Sequence, residues 1–225
     1  MLALVFSSTG PFGPSSSPDP STSTPAALPP GVVVDEDFSQ RGQWVQKDDE
    51  QATMGTVDGQ YRILVKQTGG QLWGAAAPTA AARGGDIRVE VDAVAVSKAF
   101  GTFGVSCRVG AQGPRGQPRY LGLIATNGLW RIWRYDAGEP VRNLGPPDRE
   151  FTPAIKAAGP NRVAMECLGH DHPGAPVTLR LYANGVRVAE ATDPTGLPAG
   201  SVGVAVVSQA DPIEVRFDNL RATRL

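Results

Sequence analysis

Beyond Gly31 the chain alternates between apolar and polar positions with a period of two. In "YRILVKQ" Tyr61, Ile63 and Val65 stand opposite Arg62 and Lys66, and in "DIRVEVDAVAV" Ile87, Val89, Val91 and Ala93 stand opposite Arg88, Glu90 and Asp92. "VTLRLYA" sets Val177, Leu179 and Leu181 against Thr178, Arg180 and Tyr182, and "IEVRFDNL" sets Ile213, Val215 and Phe217 against Glu214, Arg216 and Asp218. Successive side chains of a strand point to opposite faces, so each run predicts a strand with one face on a core and the other toward solvent or a ligand. No window sustains a helical stripe, and "REFTPAIKAA" supports a turn or two at most. Strand after strand with turn residues between them predicts an all-β fold, an antiparallel two-sheet sandwich over residues 32–225. The stretch "LYANGVRVAEATD" reads as a hairpin, since Asn184 and Gly185 tolerate the positive φ of a type I′ turn. Leu179, Leu181, Val186 and Val188 are then expected to face the core.

The first 31 residues break the pattern. Their Ser, Thr and Pro bury too little apolar surface to offset the entropy of ordering, so a disordered stalk is expected over 1–31. Met1 to Phe6 is apolar, yet a bilayer span takes roughly 20 residues. A short apolar run leading into such a stalk resembles the outer end of a membrane anchor or signal. The expectation is an exported, extracellular domain, secreted or anchored to the outer face of a cell membrane; a disordered start on a cytosolic protein is the alternative. The formal net charge of -1 offers no basic face for nucleic acid. No polybasic segment offers itself to an anionic bilayer, which leaves an N-terminal anchor as the only expected link to a membrane. The oligomeric state leaves no trace in the sequence.

Two cysteines follow the alternation. Cys107 shares a face with Phe103, Val105 and Val109, and Cys167 shares one with Val163 and Met165. Two lone cysteines on apolar strand faces are buried thiols or one structural disulfide. Export favours the disulfide, because the compartment is oxidising.

The order of short motifs carries a resemblance. "DEDF" (Asp35 to Phe38) and Trp44 are followed by "YRILV", "FGVSCR", "NRVAMEC", "LRLYANGVRVAEATD", "GSVGVAVVS" and "VRFDNLRA". This resembles the concanavalin A-like lectin/glucanase superfamily over roughly residues 33–225. It is most similar to bacterial extracellular jelly-roll domains, including laminin G-like ones and the domain described as a 3-keto-disaccharide hydrolase. The resemblance implies a jelly-roll sandwich that commonly handles carbohydrate on one sheet. It does not imply catalysis, because the same fold serves enzymes, lectins and scaffolds.

The residues themselves argue against a glucanase. In "VEVDAVA" Glu90 and Asp92 match the first two acids of the Glu-x-Asp strand motif of laminarinase-type relatives, while Val94 and Ala95 occupy the place of the next Glu. Retaining hydrolysis needs a nucleophile and a separate acid/base, and the second role is unfilled. His170 and His172, in "GHDHPGAP", lack a third well-spaced ligand, and no Gly-x-Ser-x-Gly frames a nucleophile. No catalytic residue and no cofactor are therefore expected. The resemblance leaves calcium open, with Asp35, Asp37 and Asp218 near the first and last strands as its oxygen ligands. The strongest ligand candidates are aromatic: "LWRIWRY" places Arg131, Trp133 and Tyr135 on one strand face, where rings stack on sugar C–H surfaces and Arg binds hydroxyls. Tyr120 and Tyr182 are lesser candidates of the same kind. The expected function is a non-catalytic extracellular module that binds carbohydrate or another extracellular ligand. Its alternatives are a glycoside-processing enzyme of the 3-keto-disaccharide hydrolase type and a structural or sensory ectodomain.

Overall fold

The alternating runs become strands whose apolar faces close on each other. The computed structural model describes residues 28–225 apart from 41, 68, 79–84, 98, 147–150 and 210, so the expected stalk lies outside the described residues up to 27. In chain order the strands are β1 (Val32–Glu36), β2 (Lys47–Asp48), β3 (Ala52–Val57), β4 (Gln60–Val65), β5 (Leu72–Ala76), β6 (Ile87–Ala95), β7 (Gly101–Val109) and β8 (Arg119–Ile124). They continue as β9 (Trp130–Tyr135), β10 (Arg142–Asn143), β11 (Asn161–Leu168), β12 (Val177–Ala183), β13 (Val186–Asp193), β14 (Ser201–Ser208) and β15 (Ile213–Arg224). No helix occurs among the described residues.

Two antiparallel sheets form the sandwich. The nine-stranded sheet runs β13-β12-β11-β6-β15-β4-β3-β2 with β1 also on β15, and the six-stranded sheet runs β10-β9-β8-β7-β14-β5. Strand β15 holds the larger sheet together: it pairs with β6 on one side and, on the other, first with β4 and then with β1. A bulge between Asp218 and Arg221 divides its pairing with β6, and Asn219 takes a φ of 51° there. Between the sheets lie the predicted faces, with Val89, Val91, Val163, Met165, Leu179, Ile63 and Val215 meeting Phe103, Val105 and Ile132, all of them buried. Contact between the sheets is close at Gly122, where an added Cβ would stand 2.9 Å from both Leu181 Cδ1 and Met165 Sδ.

Cys107 of β7 and Cys167 of β11 are joined in a disulfide, with their Cα atoms 6.7 Å apart, and so tie one sheet to the other through the core. The "DEDF…W" segment forms a second clasp. Phe38, Trp44 and Tyr61 pack ring on ring at 5.1 to 5.6 Å. Glu36 fixes their approach by accepting from the Phe38 N–H at 2.8 Å and from Trp44 Nε1 at 3.0 Å.

One expectation about the hairpin needs correcting. Asn184 and Gly185 do take positive φ, 50° and 84°, so the type I′ turn stands where predicted. Yet Val186 is 53% exposed, and the inward positions of β13 are Ala189, Ala191 and Asp193. The cause is a bulge in the β12–β13 ladder: Tyr182 pairs with Arg187 while Leu181 pairs with Ala189. One extra residue flips every side chain beyond it to the other face. Leu179 and Leu181 face the core as expected, and Val188 still packs partly on it.

Candidate functional site

Each sheet has an outward face, and the two differ in kind. The nine-stranded sheet carries a lattice of ion pairs. Arg88 binds Glu90 at 3.2 Å and Glu166 at 3.0 Å, Arg162 binds Glu90 at 3.0 Å, and Arg180 binds Glu190 at 2.7 Å. Tyr182 donates to Glu166 at 3.0 Å beneath the Arg88 guanidinium. Glu90 therefore faces two arginines: burial pushes its pKa up, but Arg162 and Arg88 outweigh that and hold it below the usual range. A general acid needs the opposite shift. Val94, which lines the same strand face two residues beyond Asp92, supplies no carboxylate.

Where β6 meets the β15 bulge, this face opens into a cleft of about 330 Å³ lined by Asp92, Lys156, Arg162, Asn184, Arg216 and Asp218 among others. Asp92 and Asp218 sit directly opposite each other in the strand register. Asp92 accepts from Asn219 Nδ2 at 3.0 Å and pairs with Arg162 at 3.4 Å. Asn184, the turn residue, reaches the same cleft from the hairpin tip, bound to Ala154 O and Asn161 Oδ1 and accepting from the Arg162 N–H.

The six-stranded sheet is apolar on its outward face. Leu121, Leu123, Ala205 and Val207 form a second buried cluster, separate from the core between the sheets, with Leu72, Trp133 and Tyr135 packed against it. All of β7, β8 and β14 is buried on both faces. Beside this cluster runs a groove of about 530 Å³, whose lining includes Trp73, Gly74, Gln117, Arg119, Tyr135 and Glu139. Several polar atoms here are buried without a hydrogen-bond partner: Arg119 Nη1 and, on β7, the hydroxyls of Thr102 and Ser106. The Trp73 side chain turns the other way, packing against the core between the sheets with the Lys47 ammonium 4.7 Å from its ring centre.

Of the expected ligand residues, the structure brings Trp133 and Tyr135 to this face, half-buried, and only Tyr135 lines the groove itself. The Tyr135 hydroxyl donates to Arg115 O at 2.8 Å and accepts from the Gly138 N–H at 2.9 Å, which holds the ring in place at the rim. Arg131 shares the strand face by alternation and donates to Trp130 O at 2.8 Å. Tyr120 is turned inward and fully buried. The calcium candidates are not gathered: Asp35 and Asp37 line one cleft and Asp218 another, and among the described residues no three His, Cys, Asp or Glu side chains form a metal group. The His170 carbonyl accepts from Arg108, and Asp171 binds the Gly85 N–H.

Arg119 was not singled out from the sequence. The available signal was an arginine on an otherwise apolar strand face, since Arg119, Leu121 and Leu123 alternate with the core residues Tyr120 and Ile124.

Solved structures share this fold. A Bacillus licheniformis β-glucanase superposes with a TM-score of 0.54 at 12% identity, covering 87% of this chain and 99% of that one. The fold is the concanavalin A-like jelly roll. A Clostridium perfringens endo-β-galactosidase that releases GlcNAcα1-4Gal gives a TM-score of 0.54 at 14% identity, over 88% of this chain and 64% of that one. The alginate lyase Aly36B gives 0.51 at 11% identity, over 84% of this chain and 88% of that one. No family model matches the sequence, and no curated protein does so. At such identities the concanavalin A-like likeness speaks for the fold, while activity has to be argued from the side chains.

Proposed function

We propose that this jelly roll is a non-catalytic, extracellular carbohydrate-binding module that holds a glycan on the outward face of its six-stranded sheet. The carrying observation is the groove itself: the Tyr135 ring borders it, Trp133 lies on the same face, and a donor on Arg119 is buried there without an acceptor. Rings supply stacking surface for sugar C–H faces, and unmet donors supply directed bonds to hydroxyls. The names of the structural neighbours, a β-glucanase, an endo-β-galactosidase and an alginate lyase, support a polysaccharide ligand. Glycoside hydrolysis uses a pair of carboxyl groups flanking the scissile bond. Glu139 is the one acid among the residues lining this groove, which supports binding without turnover. The disulfide and the Ser/Thr/Pro-rich start support an exported setting.

A glycan array probed with the full chain, followed by calorimetric titration of the best hit, tests the reading. Saturable binding that weakens in Trp133→Ala is expected; absence of binding to every glycan would remove the proposal and favour a structural ectodomain. One observation favours a second reading, a glycoside-processing enzyme. Asp92 and Asp218 face each other in the cleft of the larger sheet, beside Lys156, Arg162 and Arg216. Turnover of oxidised disaccharides that is lost in Asp92→Asn would decide for it.

A further inference from the structure

The outward face of the six-stranded sheet has a charge problem that narrows its ligand. Arg108 and Arg119 are both inside the molecule, 3% and 6% exposed. Arg108 is satisfied: its guanidinium donates to the carbonyl oxygens of Gly169, His170 and Leu197. Arg119 is not. Its Nε and Nη2 both bind Gln117, at 3.1 and 2.9 Å, while Nη1 has no partner. Burial pulls its pKa down to about 10, with the Tyr135 phenol opposing the shift, so the group remains cationic at neutral pH. Among the described residues Arg119 has no carboxylate counter-ion. Glu139, the acid of the same groove, sits exposed at its rim without an ion pair to Arg119.

A buried cation is costly unless a partner offsets its lost hydration. The guanidinium is also held in place. Gln117 grips two of its nitrogens, and Nη1 lies over Gly74, where an added Cβ would stand only 2.8 Å from it and 2.7 Å from Val204 O. Any side chain at position 74 would push the guanidinium away. An immobilised, desolvated arginine with one open donor is a preorganised receptor for an anionic oxygen. We infer that the groove takes an acidic glycan, one whose carboxylate or sulfate oxygen meets Arg119 Nη1 while Tyr135 borders the sugar ring. The inference rests on the carbohydrate reading of the same groove and names the class of sugar within it. The neutral amide of Gln71 lines the same groove and suits a sugar hydroxyl.

The test uses the full chain and a panel of uronic-acid oligosaccharides, each beside its carboxyl-reduced neutral counterpart, with sulfated neutral oligosaccharides as a third arm. Affinity is read by calorimetry at low and high salt, for wild type and for Arg119→Gln. The expected result is acidic members binding at least about tenfold more tightly than their reduced partners, a gap that narrows with salt and closes in Arg119→Gln. Preference confined to the sulfated arm supports the same inference with sulfate as the source of the anion. Equal affinity for acidic, reduced and sulfated members in wild type overturns the inference and leaves the carbohydrate reading standing. If no oligosaccharide binds, both fail. The matched ligands decide the question on wild type even where Arg119→Gln does not fold.

Discussion

Asp193 offers the sharpest quantitative test of how this sandwich is closed. The bulge in β13 turns it inward, and its carboxylate is fully buried at the end of the core. It accepts from the Tyr120 hydroxyl at 2.8 Å, from Arg134 at 2.6 Å, from Arg142 at 3.1 Å and from the Thr195 N–H at 3.3 Å. Tyr120 in turn accepts from the Leu197 N–H at 2.8 Å, so the network joins both sheets and the β13–β14 loop. Replacing Asp193 with Ala strands the Tyr120 hydroxyl and removes one carboxylate from Arg134. Breaking a buried pair by deleting one partner costs about 3 to 5 kcal/mol. Two features place this case near the lower end. Arg134 keeps Asp136 at 2.6 Å, and the Arg142 side chain is half exposed. The expected loss is about 3 kcal/mol, a drop in Tm of roughly 6 to 12 °C for a domain of this size. Urea denaturation at neutral pH should show a lower midpoint with an unchanged slope.

The pH dependence gives the same argument a second reading. Burial alone would raise the Asp193 pKa, but Arg134, Tyr120 and the Thr195 N–H reverse that and hold the carboxyl below its usual value. Its contribution is therefore complete above the unfolded-chain value of about 3.9 and is lost as pH falls through the lower native value. The gap between wild type and Asp193→Ala should be full at neutral pH and shrink under acid. A gap below about 1 kcal/mol at neutral pH would refute the reasoning, as would one that persists undiminished in strong acid.

The remaining predictions concern the core tie, the turn and the sugar face. The double variant Cys107→Ser/Cys167→Ser should lose about 4 kcal/mol of stability, the chain-entropy value for linking residues 60 apart, read as a lowered denaturation midpoint relative to oxidised wild type. Gly185→Ala, at a φ of 84°, should cost about 1 kcal/mol by forcing a Cβ into the left-handed region, with glycan binding unaffected in titration. Trp133→Ala should weaken glycan binding about tenfold through lost stacking, and calorimetry on a variant with a native-like melting curve would separate that from unfolding.

The strand faces were legible in the sequence because alternation is a local property. Ile63, Val91, Met165, Leu179 and Val215 reach the core as their neighbours in the chain imply. The Asn184–Gly185 turn was legible for a similar reason, since few residues accept positive φ at both positions. The inward aspect of Cys107 and Cys167 followed from the same alternation. The hairpin's far strand was not legible, because the bulge at Leu181/Tyr182 moves Val186 out and Asp193 in through one unpaired residue that leaves no compositional mark. The sugar face was only half legible: "LWRIWRY" points to Trp133 and Tyr135, but the groove beside them also needs Gly74 and Arg119 from two other strands.

Thus the sequence by itself determined the class of element, the inward side chains of the strands without a bulge and the position of the tightest turn, all consequences of steric and solvation preferences acting within a few residues. Only the tertiary structure decided which strands became neighbours, and that depends on pairing energies between segments far apart in the chain. Gly74 of β5 lies beneath Arg119 of β8 because β7 and β14 stand between their strands in one sheet. That pairing order leaves a buried guanidinium with one open donor, which the local pattern around Arg119 does not contain.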